Sequence, residues 1–221
     1  MHLLLRWRAL PMSFFRFLLV GLALSAALAG PTQATPQVLA RPAQWAQSVE
    51  PHYNLYQISP TLYRSALPDE EAAPLLGQLQ IKTVVNFLPE PDAQWLKAPQ
   101  INQVQLPMRT VHVDDAEVIS ALRAIQEGEA KGPVLIHCKH GLDRTGLVAA
   151  MYRMVVQGWS KQDAVAEMTQ GGFGDTRRMK YGLDYIHDVD VEAVRSALAS
   201  GACSTNPLAA CAVKGLFKQL I

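Results

Sequence analysis

Residues 133–152 constrain the fold more than any other part of the chain. The apolar run 133–136 predicts a buried strand, and the apolar run 147–152 predicts a buried helix. A short loop that contains Gly141 joins the two. A strand that leads directly into a helix is typical of a parallel sheet with both faces covered. We therefore predict an α/β fold with a central, mainly parallel sheet flanked by helices on both faces.

The rest of the chain alternates between strand and helix patterns in the same way. We expect strands near 62–63, 83–87, 104–106 and 134–137, and helices beginning near 68, 116, 145 and after Ser160, a predicted N-cap. In such sheets the functional residues lie beyond the carboxyl ends of the strands. Cys138 follows the strand 134–137 directly, so we expect the functional site there.

The loop between this strand and the helix has the composition of an anion-binding site. The amides of a tight glycine loop and the N-terminus of a helix concentrate positive potential at one point. Arg144 ends the loop, and its planar guanidinium can donate two parallel bonds to phosphoryl oxygens. Cys138 begins the loop, where a thiolate can act as a nucleophile. The sequence thus predicts a phosphate loop between strand and helix, with Thr145 assisting departure of the sulfur.

The same loop carries a family signature. Residues 137–146 read His-Cys-Lys-His-Gly-Leu-Asp-Arg-Thr-Gly, which resembles the loop of the cysteine-dependent protein tyrosine phosphatases, in their small dual-specificity-like branch. With further landmarks at 62–68 and 82–87, the resemblance extends from about Asn54 to Cys211. It implies a phosphotyrosine hydrolase without metal or cofactor, acting through a phosphocysteine, with Arg64 supporting the site through a salt bridge beneath the loop. The residues that it places around the phosphate are Cys138, Lys139, His140, Gly141, Leu142, Asp143 and Arg144.

Cleavage of a phenolic ester also needs a proton donor for the leaving oxygen. Asp114 and Asp115 are the nearest carboxylates that could supply it, and His112 is a weaker possibility. Members of the family tend to place the acid a few residues earlier, at the position that holds Val111. One of the two aspartates could instead cap the helix that follows them.

Three other interpretations of the loop are open. His137, Cys138 and His140 are zinc-binding residue types, but no second cluster accompanies them, so we predict no metal site. A sister branch with a similar loop hydrolyses small polyphosphates such as inositol phosphates, although it tends to carry extra basic residues where this chain has 141–143. A phosphate-binding adaptor without turnover is the third interpretation.

The N-terminus has the layout of a secretory signal peptide. Basic residues precede a short apolar stretch, which ends in the small-residue run 27–29. We predict a signal peptide at 1–29 and a periplasmic protein, with cleavage after Ala29 or, alternatively, Ala34. The apolar stretch is shorter than a spanning helix requires, and an uncleaved anchor is the less favoured alternative.

Cysteine usage and charge agree with export. Cys203 and Cys211 lie close together and are predicted to form a disulfide, which leaves Cys138 as the free thiol. Removal of residues 1–29 takes away three arginines and no acid, leaving 17 basic and 19 acidic residues. A chain of that charge has no general attraction to nucleic acid.

We divide the remaining chain into a linker or loosely held arm (30–53), a phosphatase domain (54–200) and a C-terminal tail (201–221). We expect a monomer without a stable membrane anchor after cleavage. The resemblance implies a phosphorylated protein as partner, such as the periplasmic part of a membrane signalling protein like a diguanylate cyclase.

Overall fold

A mixed six-stranded sheet forms the centre of the part of the chain that the structure describes. The structure is a computed structural model and describes residues 41–211. Its strands are β1 Gln47–Glu50, β2 Leu55–Ser59, β3 Leu62–Ser65, β4 Thr83–Asn86, β5 Asn102–Gln105 and β6 Val134–His137. Their order is β1-β2-β3-β6-β4-β5, in which β3, β6, β4 and β5 are parallel and β1 and β2 form an antiparallel edge. The predicted mainly parallel sheet is confirmed.

Within residues 41–211 six α-helices accompany the sheet, and side-chain caps begin three of them, the last being Asp190 at the sixth helix. Asp114 begins the second helix with a capping box, because its carboxylate accepts from the Glu117 amide while the Glu117 carboxylate accepts from the Asp114 amide. Ser160 caps the fourth helix by accepting from the Asp163 amide. The helices are α1 Ala73–Gln78, α2 Asp115–Glu129, α3 Arg144–Val155, α4 Lys161–Gln170, α5 Lys180–Asp188 and α6 Val191–Ser200.

Alternation along the strands divides the core between the two faces of the sheet. Val84 and Leu135 point to a smaller cluster that includes Leu76 of α1. Their neighbours Val85 and Ile136 point to a larger cluster, which is formed with side chains of α2–α6. Both faces are therefore covered by helices, as predicted, but most of the helical mass lies on one of them.

The carboxyl ends of β3, β6 and β4 lie side by side at one end of the sheet. His137 at the end of β6 is in register with Ser65 of β3 and with Asn86 of β4. β6 lies between the other two, so the chain that leaves it emerges between the ends of β3 and β4. This position gives residues 138–143 neighbours on both sides.

The arm predicted at 30–53 differs from the structure in its second half. Gln47 and Ser48 of β1 pair with Gln57 and Tyr56 of β2, so the sheet begins before residue 54. β1 is polar and largely exposed at a sheet edge, so it carries no apolar alternation that would predict a strand.

The end of the described chain is tied to α2. Cys203 and Cys211 form a disulfide, as predicted, and Arg123 of α2 donates to the Ala202 carbonyl. No helix within residues 41–211 is long and apolar enough to cross a membrane. The predicted signal peptide at 1–29 lies outside the described residues.

Candidate active site

A tight turn at Gly141 shapes the loop between β6 and α3. Gly141 has a φ of +69°, in the left-handed region. A Cβ atom at this position would lie 2.7 Å from the Ser65 carbonyl oxygen and 2.8 Å from the Ala66 nitrogen. The loop therefore folds against the end of β3 in a way that only glycine allows without a shift of the backbone.

The loop carbonyls are bonded to the surrounding protein. The Leu67 amide donates to the Lys139 carbonyl (3.4 Å), Asn54 Nδ2 donates to the His140 carbonyl (3.3 Å), and Arg64 Nη2 donates to the Gly141 carbonyl (2.5 Å). Among the described residues, the N–H groups of 139–143 have no protein acceptor. A loop whose carbonyls are bonded to the surrounding protein, and whose amides have no protein acceptor, can bind an oxyanion through those amides.

Two potential reacting groups stand at the ends of this cradle, and neither has a bonding partner within residues 41–211. Cys138 is buried and is the free cysteine of the described residues. Thr145 is fully buried in the first turn of α3, and its hydroxyl has no hydrogen-bond partner in the part of the chain that is described. An unpaired buried hydroxyl is costly in a folded protein, so a bond made during the reaction would satisfy it.

Arg144 reaches across the edge of the sheet toward β4. Its Nη1 donates to the Phe87 carbonyl at 3.1 Å and lies 3.5 Å from the Met108 carbonyl. The buried Nε has no partner within residues 41–211. The guanidinium is thus held at one nitrogen while its other N–H groups can bind an anion.

Arg64 supports the loop from beneath. Its guanidinium carbon lies 3.7 Å from the centre of the Phe173 ring, and burial lowers the pKa of Arg64 to about 10. No carboxylate lies within 4.0 Å of Arg64 in the described chain, so a carbonyl and an aromatic ring hold it instead of the salt bridge that we expected. Phe173 is buried in the turn between α4 and α5.

A buried pair behind the nucleophile was missed by the sequence analysis. The His137 Nε2–H donates to Asp92 Oδ2 at 3.0 Å, and both side chains are almost completely buried. Asp92 Oδ1 also accepts from Asn86 Nδ2 and from Trp95 Nε1. The ring of His137, which precedes Cys138, is thereby fixed in orientation. Asp92 follows a Pro-Glu-Pro stretch that is typical of a solvated turn, so its sequence gave no signal of burial.

The two aspartates predicted as general acids have other bonds. Asp114 forms the helix cap, and its Oδ2 lies 3.2 Å from Arg109 Nη2. Asp115 accepts from the Tyr185 hydroxyl at 2.7 Å and from the Thr205 hydroxyl. Burial and the bond to Asp115 raise the pKa of Tyr185. The acid role of either aspartate stays a prediction.

A cleft of about 520 Å³ opens beside Arg144, and no carboxylate of the described residues lines it. Its walls are Pro89, residues 107–112 and Arg144. Val111 is exposed on this wall, at the position where the family resemblance places the acid. His112 lines the same cleft, and its side chain has no hydrogen-bond partner between residues 41 and 211.

The opposite wall of the loop is segment 173–182, which three contacts hold in place. Asn54 Nδ2 donates to the Phe173 carbonyl (2.9 Å) as well as to the His140 carbonyl. Arg178 Nη2 lies 3.3 Å from His140 Nε2, and the Gly182 amide donates to Asp143 Oδ1 at 2.8 Å. Asp143 is half-buried, and burial raises its pKa. Its carboxylate binds the start of α5, so the loop's acidic residue is a structural link.

Comparison with known proteins agrees with this geometry. The sequence model of a group described as "Tyrosine phosphatase family" matches residues 49–202, which is more than half of the chain. The chain belongs to the tyrosine phosphatase family. This phosphatase is 47 % identical over 211 residues to the dual specificity protein phosphatase TpbA of Pseudomonas aeruginosa (strain UCBPP-PA14), covering 96 % of this chain and 97 % of that relative.

Solved structures agree with this family assignment. The crystal structure of P. aeruginosa TpbA is similar with a TM-score of 0.70 and 53 % identity, covering 72 % of this chain and 99 % of that one. A cysteine-to-serine variant of TpbA in complex with pTyr gives a TM-score of 0.71 and 52 % identity, covering 73 % and 99 %. The phosphatase is also 30 % identical over 161 residues to an inositol diphosphatase of Arabidopsis thaliana, covering 68 % of this chain and 76 % of that relative. It is thus a phosphoric monoester hydrolase of the protein tyrosine phosphatase class.

Proposed function

We propose that this phosphatase hydrolyses phosphotyrosine in exported proteins through a phosphocysteine intermediate on Cys138. The observation that carries the proposal is the cradle of amides at 139–143, which have no protein acceptor in the described part of the chain, with Cys138 at one end and Arg144 at the other. The similarity to TpbA, a variant of which has been seen with pTyr, supports phosphotyrosine as the substrate group.

In the first step, the thiolate of Cys138 attacks phosphorus and the oxygen of the leaving group departs with the electron pair of the broken P–O bond. Arg144 and the loop amides bind the equatorial oxygens, where negative charge is concentrated in the transition state. In the second step, water attacks phosphorus and the sulfur departs. The buried Thr145 hydroxyl donates a hydrogen bond to that sulfur, which gives it a partner that residues 41–211 do not otherwise supply.

The described residues of the cleft beside Arg144 include few groups that could deliver a proton to the leaving group. The titratable side chains on the wall beside Arg144 are Arg109 and His112, and Arg109 is paired with Asp114. Asp114, Asp115 and His112 remain the predicted donors. Because no carboxylate of the described residues lines this cleft, we expect turnover to depend steeply on the acidity of the leaving group.

Two variants test the catalytic assignment together. Cys138→Ser should abolish hydrolysis of a phosphotyrosine peptide while it still binds inorganic phosphate, because the cradle and Arg144 are intact. Arg144→Ala should lose both hydrolysis and phosphate binding, and a thermal melt of each variant controls for folding. Unchanged hydrolysis by Cys138→Ser would refute the phosphocysteine mechanism.

Export is proposed from the N-terminal sequence and is tested separately. Full-length chain expressed in a Gram-negative host should be recovered from the periplasm with Gly30 or Thr35 as its first residue, read by intact mass. Recovery of an unprocessed N-terminus from the cytoplasm would contradict export and would leave the catalytic assignment untouched.

A small polyphosphate is the second candidate substrate. It is supported by the similarity to an inositol diphosphatase and by the cationic side chains at the loop mouth. The acidic Asp143 would repel such a ligand, but this repulsion is weakened because its carboxylate accepts from the Gly182 amide.

A further inference from the structure

Three basic side chains lie at the mouth of the phosphate loop. Lys139, His140 and Arg178 are exposed, and Arg178 Nη2 lies 3.3 Å from His140 Nε2. No carboxylate lies within 4.0 Å of Lys139 or Arg178 in residues 41–211. The adjacent Arg177 is different, because it forms a 2.6 Å ion pair with Asp175.

These side chains are held beside the position of the reacting phosphate. His140 follows Cys138 by two residues, inside the loop. Asn54 bonds both to the His140 carbonyl and to the Phe173 carbonyl, and the Gly182 amide bonds to Asp143. The wall that carries Arg178 is thus fastened to the loop on both sides of Arg178. A group bound there would be a near neighbour of the phosphoryl group.

The side-chain charges that act on the His140 imidazole are positive. Burial lowers the pKa of His140 first, and the positive charges of Arg178, Lys139 and Arg144 lower it further. A neutral imidazole accepts the hydrogen bond from Arg178, whereas a bound anion would favour the imidazolium form and the approach of all three cations. Arg178 and Lys139 have no carboxylate partner in residues 41–211 and both act on His140, so this group of side chains attracts an anion. Arg144 is already assigned to the reacting phosphate.

We propose that Lys139, His140 and Arg178 form a subsite for a second anionic group of the substrate, beside the phosphate that is cleaved. The subsite rests on the proposed function, because it assumes that the first phosphate is bound by 138–144. Its ligand chemistry is a carboxylate or a phosphate. The source is either an acidic side chain that flanks the phosphotyrosine in a protein or a second phosphate of a small polyphosphate.

The test compares substrates that differ only in the second anion. We would measure kcat/KM for a phosphotyrosine peptide with aspartates beside the phosphotyrosine and for the same peptide with asparagines. Inhibition by inositol hexakisphosphate relative to inorganic phosphate forms the second arm. Wild type, Arg178→Ala and Arg177→Ala are compared, and Arg177 is a matched control because it is adjacent, exposed and already paired.

We expect wild type to prefer the aspartate peptide over the asparagine peptide, or the polyphosphate over inorganic phosphate. The preference should be about 5- to 10-fold, which is the size of effect that a charge-assisted hydrogen bond gives at an exposed site. Arg178→Ala should reduce that ratio to near one, and Arg177→Ala should not change it. A change confined to the peptide ratio identifies a flanking carboxylate, and a change confined to the polyphosphate ratio identifies a second phosphate. Ratios that are the same in wild type and Arg178→Ala would overturn the subsite. Failure of the proposed function is distinguishable, because wild type would then cleave neither peptide.

Discussion

At the scale of single residues, the site separates groups that are bonded to the protein from groups left for the substrate. The carbonyls of Lys139, His140 and Gly141 all have donors, whereas the amides of 139–143 have no protein acceptor among the described residues. The Thr145 hydroxyl, buried in the described structure, is also unpaired. Groups in this state cost stability unless an anion satisfies them, and they need no rearrangement when one binds.

Val111 is the residue whose replacement should improve the enzyme. A carboxylic acid there would line the cleft with Arg144, and general acids contribute about 10²–10⁴-fold to such reactions. We expect Val111→Asp to raise kcat for phosphotyrosine by about 10-fold or more, with a smaller gain for p-nitrophenyl phosphate, whose leaving group needs less help. Val111→Asn is the control of equal shape without a proton to give. Equal rates for the two variants would show that this wall does not face the leaving group.

The imidazole of His140 should report on the charges around it. Arg178 is one of the causes that lower its pKa, after burial, so its removal should raise that pKa. We expect an NMR titration to show a higher His140 pKa in Arg178→Ala than in wild type, and no change in Arg177→Ala. A His140 pKa that is unchanged or lower in Arg178→Ala would contradict the contact.

At the scale of elements, the ends of strands and helices place each functional residue. β6 ends between β3 and β4, so Cys138 emerges at the middle of the edge, and the first turn of α3 carries Arg144 and Thr145. The Leu106 and Met108 amides bond to the carbonyls of Asn86 and Phe87, which holds the adjoining loop against β4. That loop then runs past Val111 to the cap of α2.

The cap of α2 allows the structural and chemical roles of Asp114 to be separated. Asp114→Ala removes the side-chain bond of the capping box, in which the Asp114 carboxylate accepts from the Glu117 amide, and should lower the free energy of unfolding by about 1 kcal/mol, measured by denaturant titration. Asp114→Ser can still cap the helix but has no carboxyl group, so it should recover most of that stability. A loss of about 10²-fold in phosphotyrosine turnover by Asp114→Ser at full stability would assign the acid role to Asp114.

At the scale of the whole molecule, the sequence predicted the parts whose signals are local. The apolar runs at β4 and β6, the Ser160 cap and the loop 137–146 need only near neighbours in sequence to be recognised. β1 was missed because a polar edge strand has no alternation of its own. The pairing of Asp92 with His137 and the contact of Arg178 with His140 join residues far apart in sequence, and Asp92, His140 and Arg178 lie in segments that are typical of a solvated turn or surface. Such contacts are set by the fold and not by local pattern.

The central claim is that Cys138 carries the phosphoryl group during turnover. The most direct measurement is rapid acid quench of the enzyme during hydrolysis of p-nitrophenyl phosphate, followed by mass analysis of the peptide that contains Cys138. We predict a phosphorylated Cys138 peptide that forms within the burst of p-nitrophenolate and disappears when substrate is exhausted. A substantial burst with no phosphorylated cysteine, or a phosphoryl group found on another residue, would contradict the mechanism.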